Sequence, residues 1–236
     1  ARRFTNILIR QYAKHKDVEK IIYLLALSLQ KKNMNAQYYI NLLLKKYPDT
    51  KTTITLYYKL GNTFFQRKIY NKAAQYYTKY ILSNDKSYYG EAYYNRLLAL
   101  FFEKKYEEVI QIILEKQKPL LTIKQWQKVQ LLLCRSYYNL GKYDKVFMYM
   151  DINNVKKYPI DDLMIYLKSA LKVGDVQTAA EISKFMTKNN LRYAEALFLI
   201  GNFYLLKENN DIAKGFYSRI IVECPNSPYL DLAKIK

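Results

Sequence analysis

The sequence predicts an all-α solenoid of about six helix pairs, with one further helix at each end. A pattern of large and small apolar residues restarts near residues 17, 54, 90, 127, 160 and 194. Within each copy the apolar residues recur at helical spacing, and a repeat of about 34 residues is typical of stacked helical hairpins. No linker or low-complexity segment divides the chain, so we expect residues 1–236 to form one domain.

The chain begins with an amphipathic segment, Arg2–Lys16, whose apolar residues lie along one stripe of a helix. Asp17 follows as a candidate N-cap and opens the first repeat, 17–53. That repeat is predicted to be degenerate, because Leu24 stands at the position that is small in the repeats with Gly61, Cys134 and Gly201. Its predicted core is Tyr23, Leu24, Leu27, Ala36, Ile40 and Leu43.

The second repeat, 54–89, is the most regular copy. Its pattern residues are Tyr57, Leu60, Gly61, Phe64, Ala73, Tyr77 and Tyr80. Gly61 falls where two helices must approach closely, since glycine has no side chain to keep them apart. We expect Ala73 to face Gly61 from the second helix, with the bulky residues filling the space around that contact.

Four further repeats are predicted at 90–126, 127–159, 160–193 and 194–226. Thr122 is a candidate cap for the first helix of the fourth repeat, and Gly141 and Gly174 mark turns between helices. After the sixth repeat, Ser227 and Pro228 have the order of an N-cap and a first helical residue. They predict a terminal helix at 227–236.

This spacing closely resembles that of the tetratricopeptide repeat (TPR) family, and the resemblance extends from about Asp17 to Pro225. It implies a right-handed superhelical solenoid in which each repeat is a pair of antiparallel helices. It also implies a non-catalytic scaffold for protein–protein interactions. A repeat architecture alone leaves the partner open.

In this family the first-helix residues opposite the buried stripe line a concave groove. The equivalent positions here combine aromatic side chains, amides and cations. They predict a groove for a protein or peptide segment with apolar anchors and an acidic flank. The candidate partner-binding residues are Tyr58, Asn62, Phe65, Tyr94, Leu98, Phe101, Arg135, Tyr138, Asn139 and Lys168. The alternative is that a tight superhelix buries these aromatic residues against its own inner wall.

The chain is strongly basic and rich in tyrosine. Its 39 Lys and Arg outnumber 20 Asp and Glu, and 26 residues are Tyr. A formal charge of +19 favours anionic partners, so a basic solenoid that binds nucleic acid or an anionic membrane surface is the alternative function. RNA-reading helical repeats need recurring polar residues at fixed positions, which this chain lacks. Nucleic acid is therefore the less favoured partner, and peripheral contact with an anionic membrane stays open.

The residues offer little for catalysis. His15 is the only histidine, and Cys134 and Cys224 lie too far apart along a solenoid to form a disulfide. No glycine-rich phosphate loop occurs. Asp161 and Asp162 are expected to support a helix N-terminus rather than to form a catalytic pair. We expect no catalytic, cofactor-binding or metal-binding residues, no cofactor and no enzymatic activity.

A weaker resemblance concerns two junctions between repeats. The ending VECPNSPYLDLAK is similar to junctions in bacterial envelope TPR proteins of the outer-membrane assembly lipoprotein and Tol–Pal accessory types, and KKYPDT at 45–50 is related to it. The resemblance implies a periplasmic or envelope-associated location. No apolar run is long enough to span a membrane, and the sequence begins with Ala-Arg-Arg. We expect a trimmed or mature domain.

Overall fold

The computed structural model describes residues 2–12, 15–32, 34–115, 120–187 and 190–236. Within these ranges the chain forms fourteen α-helices and one 3₁₀ helix, and it contains no β-strand. The contacts divide it into two compact units. Unit 1 comprises residues 1–105 and 116–126, and unit 2 comprises residues 106–115 and 127–236. The all-helical prediction is therefore confirmed.

Unit 1 is built from three successive long helices with shorter helices between them. Its helices are α1 (Arg2–Tyr12), α2 (Lys16–Lys31), α3 (Gln37–Lys46), α4 (Lys51–Gln66), α5 (Tyr70–Ile81) and α6 (Tyr89–Phe102). Helix α2 packs against α3 and α4, and α4 packs against α5 and α6. The long helices α2, α4 and α6 thus lie side by side in that order, because each contacts the next.

Unit 2 continues the alternation of long and short helices. Its elements are α7 (Tyr106–Leu114), α8 (Ile123–Asn139), α9 (Tyr143–Tyr149), a 3₁₀ helix (Ile152–Lys157), α10 (Ile160–Val173), α11 (Val176–Ser183), α12 (Leu191–Leu206), α13 (Asn210–Glu223) and α14 (Leu230–Ile235). The first turn of α8 belongs to unit 1. Helix α10 packs against α9, α11 and α12, and α13 packs against α12 and α14.

The start of the first repeat differs from the sequence prediction. The N-cap of α2 is His15, whose Nδ1 accepts a hydrogen bond from the backbone N–H of Asp17, and Asp17 lies inside the helix. The only histidine of the chain therefore caps the N-terminus of α2. The preceding helix α1 ends at Tyr12 rather than at Lys16, and residues 13 and 14, which the prediction included, lie outside the described residues.

The register of α2 is also shifted by two residues from the prediction. Leu24, expected in the core, is exposed, and Ala26 is completely buried between Ile22 and the apolar residues of α3 and α4. Ala26 is the eleventh residue of α2, as Gly61 is the eleventh residue of α4. The first repeat thus does have a small residue at its tight position, and it is more regular than predicted.

The close approach at Gly61 involves a different residue from the one expected. A Cβ placed on Gly61 would lie 2.6 Å from the Cδ1 and Cε1 atoms of the Tyr77 ring, so Tyr77 faces this glycine. Ala73 is fully buried in α5, one turn before Tyr77. Gly201 meets the ring of Tyr217 in the same way, also at 2.6 Å. The small residue makes room for an aromatic ring rather than for another small residue.

The caps predicted for α8 and α14 have different outcomes. Thr122 and Gln125 form a capping box, with the Gln125 N–H 3.3 Å from Thr122 Oγ1 and the Thr122 N–H 2.9 Å from Gln125 Oε1. The cap predicted at Thr122 is thereby confirmed. The last helix, in contrast, begins at Leu230 and not at Pro228, because Ser227 Oγ accepts from the Tyr229 N–H and closes a turn before the helix.

One type of turn follows the first helix in each of six described repeats. In each turn, a backbone N–H donates to the carbonyl five residues earlier, and the donors are Met34, Ile69, Lys105, Lys142, Asp175 and Asn209. This bond defines the Schellman C-cap. Five of these donors directly follow a residue in the left-handed conformation, namely Lys68, Lys104, Gly141, Gly174 and Glu208. The predicted turns at Gly141 and Gly174 are therefore confirmed.

The non-glycine residues at this turn position provide a stability prediction. Lys104 has φ +60°, a conformation that costs an L-residue about 1–2 kcal/mol. Glycine would remove this cost, but part of the resulting gain in stability is offset because glycine is more flexible in the unfolded chain. We therefore expect Lys104→Gly to raise the free energy of unfolding by about 0.5–1 kcal/mol.

The matched control is Gly174→Ala, since Gly174 has φ +88° in the same turn type. It should lower the free energy of unfolding by about 1 kcal/mol. Urea unfolding followed by circular dichroism measures both changes. Changes of opposite sign in the free energy of unfolding would support backbone strain at Lys104, whereas destabilisation by Lys104→Gly would contradict it.

Candidate functional site

The predicted partner-binding residues fall in both units, six in unit 1 and four in unit 2. In unit 1, α4 carries Tyr58, Asn62 and Phe65, and α6 carries Tyr94, Leu98 and Phe101. In unit 2, α8 carries Arg135, Tyr138 and Asn139, and α10 carries Lys168. Some of these side chains hold neighbouring helices together, whereas others lie on a surface.

Tyr58 belongs to the first group. Its side chain is buried and stacks on Tyr88 at 4.6 Å between ring centroids, and its hydroxyl donates to Glu91 Oε2 at 2.5 Å. Burial, together with this hydrogen bond, raises the pKa of Tyr58 to about 12. Tyr58 therefore joins α4 to the start of α6, which matches the internal-burial alternative for this position.

Asn62 has an internal hydrogen bond that recurs in unit 2. Its Oδ1 accepts from the hydroxyl of Tyr77 at 2.7 Å, and Asn202 Oδ1 accepts from Tyr217 at the same distance. Each amide directly follows the glycine against which the same tyrosine ring packs. The Gly-Asn pair and the tyrosine thus form one recurring contact that holds the two helices of a repeat together.

Arg135 and Lys168 occupy the same repeat position as Asn62 but contact the next first helix. Arg135 Nε and Nη2 lie 2.7 and 2.8 Å from the two carboxylate oxygens of Asp162, in a bidentate ion pair. Lys168 Nζ lies 2.7 Å from Glu195 Oε1, and Arg192 Nη1 lies 2.7 Å from Glu195 Oε2. These cations therefore link α8 to α10 and α10 to α12.

The two acidic groups differ from a catalytic pair. Asp162 is buried against Arg135, whereas Asp161 is exposed and its Oδ1 lies 3.0 Å from Arg192 Nε. Burial alone would raise the pKa of Glu195, but hydrogen bonds from Lys168 and Arg192 outweigh it and lower that pKa below its ordinary value. Asp161 and Asp162 lie in the first turn of α10, as expected, but no side chain caps this helix, and both carboxylates form ion pairs with neighbouring helices instead.

The other two predicted residues of unit 2 make local contacts. Asn139 Nδ2 donates to the backbone carbonyl of Arg135 at 2.8 Å, one turn earlier in α8. The ring of Tyr138 meets Tyr143 edge-on at 5.6 Å. Both contacts stay within the hairpin of α8 and α9.

An aromatic cluster remains on the surface of unit 1. Phe65, Tyr70, Phe101 and Phe102 form it, at the C-terminal ends of α4 and α6 and the start of α5. Phe102 contacts Tyr70 at 4.9 Å, Phe65 at 6.0 Å and Phe101 at 6.1 Å between ring centroids. Phe65 and Phe101 are half-buried, and 48% of Phe102 is exposed. Tyr94 and Leu98, on the same helix as Phe101, are also half-buried.

A polar cleft of about 450 Å³ lies beside this cluster, between α2 and α4. Its lining combines amides, a hydroxyl and two cations with one leucine, and comprises Leu27, Gln30, Lys59, Asn62, Thr63, Gln66 and Arg67. Of these residues, only Asn62 was predicted from the sequence to bind a partner. Gln66 follows Phe65 directly on α4, so the cleft and the aromatic cluster share this helix end.

Sequence reasoning also missed a stacked aromatic pair that recurs in three repeats. Phe64 stacks on Tyr76 at 5.3 Å, Tyr137 on Tyr149 at 5.7 Å, and Tyr204 on Phe216 at 5.8 Å. The partners are always twelve residues apart, which is a signal that the sequence contains. Lys79 lies over Tyr76 and Arg219 over Phe216 at 5.5 and 5.8 Å from the ring centroids. Much of the tyrosine content therefore packs helices within their hairpins.

Both cysteine thiols of the chain are buried. Cys134 and Cys224 are free thiols, and burial raises the pKa of Cys134 to about 12. In the described ranges, no three His, Cys, Asp or Glu side chains come together as ligands for a metal ion. None of the helices in the described part of the chain combines the length and apolarity needed to cross a membrane.

Comparison with known proteins is consistent with the fold inferred from the repeats. Residues 195–227 match the tetratricopeptide-repeat family model, and no curated protein matches the chain. The crystal structure of YrrB, described as a TPR protein with an unusual peptide-binding site, superposes with a TM-score of 0.56 at 13% sequence identity. The match covers 84% of this chain and 98% of YrrB. The chain is therefore a protein of the tetratricopeptide-repeat fold, with a recognisable tetratricopeptide repeat at residues 195–227.

Proposed function

We propose that this protein is a non-catalytic protein-interaction module that binds a segment of a protein partner across α2, α4 and α6 of unit 1. The fold favours this function, because proteins of this architecture typically act as interaction scaffolds. The peptide-binding site described for YrrB is consistent with it. The aromatic cluster next to the polar cleft is the observation that carries the proposal.

The aromatic cluster supplies the apolar part of the binding face. Aromatic residues contribute most of the binding energy at protein interfaces when they are held rigidly. Phe65 and Phe101 are held by contacts with Phe102, while the exposed side of Phe102 is available to an apolar side chain of the partner. Tyr94 and Leu98 remain candidates along the same face of α6.

The polar cleft supplies the complementary part. Lys59 and Arg67 bring positive charge to it, and Gln30, Asn62 and Gln66 bring amide groups. Cations and amides bind carboxylates and the peptide backbone regardless of its sequence. A partner segment with one or two apolar anchors and an acidic flank fits this arrangement. The proposed face uses only the predicted residues of unit 1; the four residues predicted in unit 2, of which Arg135 and Lys168 form ion pairs, stay a prediction.

The test uses a displayed library of random peptides selected against the full chain. We expect enriched peptides to carry an aromatic or leucine anchor next to acidic residues. Phe101→Ala should weaken their binding by about 1–2 kcal/mol, because it removes a packed ring from the cluster. Fluorescence anisotropy with a labelled enriched peptide measures the change, and circular dichroism checks the helical content.

Leu82→Ala is the matched control, since Leu82 is an exposed apolar residue of unit 1 at the end of α5, away from the cluster. It should leave peptide affinity unchanged. Selected peptides that bind Phe101→Ala as tightly as the original chain would contradict the proposed face.

The proposal includes a cell-envelope location, which rests on the junction sequences around Pro48 and Pro225. Fractionation of the source cells followed by immunodetection tests it. Recovery in the periplasmic or envelope fraction is the expected result, and recovery with the cytoplasm would contradict it.

A further inference from the structure

The turns after α2, α4 and α6 form one edge of unit 1. Each has the Schellman bond described above, donated by Met34, Ile69 and Lys105 respectively. The second and third turns are adjacent, because the Asn71 N–H donates to Glu103 Oε1 at 3.2 Å. The first and second turns are neighbours too, since Gln30 and Arg67 line the same cleft. Repetition of one turn geometry therefore places equivalent side chains in a row.

This turn edge consists of Lys32, Met34, Lys68, Ile69, Lys104 and Lys105. All four lysines are exposed. Two apolar residues of the edge are exposed as well, Met34 by 57% and Ile69 by 42%. The edge thus presents a row of cations with aliphatic side chains between them, and its one carboxylate, Glu103, accepts the hydrogen bond from Asn71.

Most of the net positive charge lies in the part of the chain that contains the turn edge. Residues 1–105 contain 20 Lys and Arg and 6 Asp and Glu, so they carry a net +14 of the total +19. Residues 106–236 contain 19 basic and 14 acidic residues and carry the remaining +5. An anionic partner is therefore attracted mainly to the part of the chain that contains the turn edge.

We propose that the turn edge docks unit 1 on the surface of an anionic lipid bilayer. Lysines attract acidic headgroups, and short aliphatic side chains enter the boundary between headgroups and acyl chains. Single-stranded nucleic acid would stack its bases on aromatic side chains and is the competing anionic partner, which the labelling experiment below distinguishes from a bilayer. This surface goes beyond the proposed peptide-binding face: it adjoins that face at the ends of α4 and α6 but uses different side chains.

The test removes charge from the edge without disturbing the turns. Lys68→Asn and Lys104→Asn suit their positions, because asparagine tolerates the left-handed conformation, and Lys105→Gln removes a third charge. Each cation near an anionic surface strengthens binding by a factor of about five. The triple variant should therefore bind vesicles of phosphatidylcholine and phosphatidylglycerol about a hundredfold more weakly than the original chain in a flotation assay.

The matched control removes three exposed lysines of unit 2 by Lys172→Gln, Lys184→Gln and Lys207→Gln. It lowers the net charge equally but should weaken vesicle binding far less. Equal losses in the two triple variants would overturn the assignment to the turn edge. Vesicle binding that is undetectable in the original chain at low salt would overturn it as well.

A label at the edge distinguishes insertion from other anionic partners. An environment-sensitive dye on Ile69→Cys should brighten with anionic vesicles, and the two buried native thiols leave the introduced cysteine as the accessible one. The same dye on Lys184→Cys should not respond. A response to RNA or to an acidic peptide but not to vesicles would overturn the proposal in favour of that partner.

Discussion

Replacing Arg135 with methionine is expected to lower the free energy of unfolding by about 3 kcal/mol, because it leaves a buried carboxylate without its charge partner. The side chain of Asp162 is only 2% exposed, and that of Arg135 is 33% exposed. Breaking a buried ion pair typically costs about 3–5 kcal/mol, and the partial exposure of Arg135 places this pair at the lower end. Urea unfolding of the full chain measures the loss.

The reverse substitution, Asp162→Asn, should cost less. Arg135 is partly exposed, so its guanidinium can reach water when the carboxylate is removed. The double variant Arg135→Met with Asp162→Leu should regain much of the stability, since an apolar pair of similar volume often replaces a buried ion pair without loss. Unchanged stability of Arg135→Met would contradict the role of this pair in holding α8 to α10.

This contact also decides how the binding face should be tested. Arg135→Glu would place a second carboxylate beside Asp162 and destabilise unit 2. A loss of partner binding in that variant would report on folding rather than on the partner. Phe101→Ala is the better test, because Phe101 lies in unit 1 at the edge of the aromatic cluster.

Gly201→Ala is expected to destabilise the protein by about 1–2 kcal/mol, the net of the overpacking cost and the helix propensity of alanine. The new methyl group would lie 2.6 Å from Cε1 of Tyr217, well inside van der Waals contact. The ring cannot move aside easily, since it is buried and its hydroxyl is held by Asn202 at 2.7 Å. This steric cost exceeds the gain of about 1 kcal/mol that alanine brings to a helix interior.

Gly215→Ala is the matched control. Gly215 lies in α13 of the same hairpin, and a Cβ there would meet no atom within 4 Å. It should therefore stabilise the protein by about 0.5–1 kcal/mol. Thermal unfolding of both variants compares the signs directly, and stabilisation by Gly201→Ala would contradict the packing described for this seam.

Several features of the fold could be predicted from the sequence because they depend on local spacing. The helix pairs, the turns at Gly141 and Gly174 and the cap at Thr122 are of this kind. The start of the first repeat was harder, because Leu24 and Ala26 both fit a helical stripe. Only the packing of α2 against α3 and α4 shows that Ala26 occupies the tight position.

The candidate site was less predictable, because its contacts join residues far apart in the chain. Arg135 and Asp162 are separated by 27 residues, and no local pattern pairs them. One correlation was nevertheless present in the sequence. Where the second helix carries Tyr77 or Tyr217, the first carries an asparagine that binds its hydroxyl. Where the equivalent position, just after α9 or at the end of α11, is Met150 or Ser183 instead, the first helix carries a cation that binds the next repeat.

Site-specific photo-crosslinking tests the central claim most directly, since it reports which face of unit 1 meets the partner. A photoreactive phenylalanine analogue replaces Phe101 in one variant and Lys79 in another. Lys79 lies over Tyr57 and Tyr76, at the packed side of α4 and α5. With a selected peptide, we predict crosslinks from position 101 and none from position 79. Crosslinks from position 79 alone would contradict the proposed binding face.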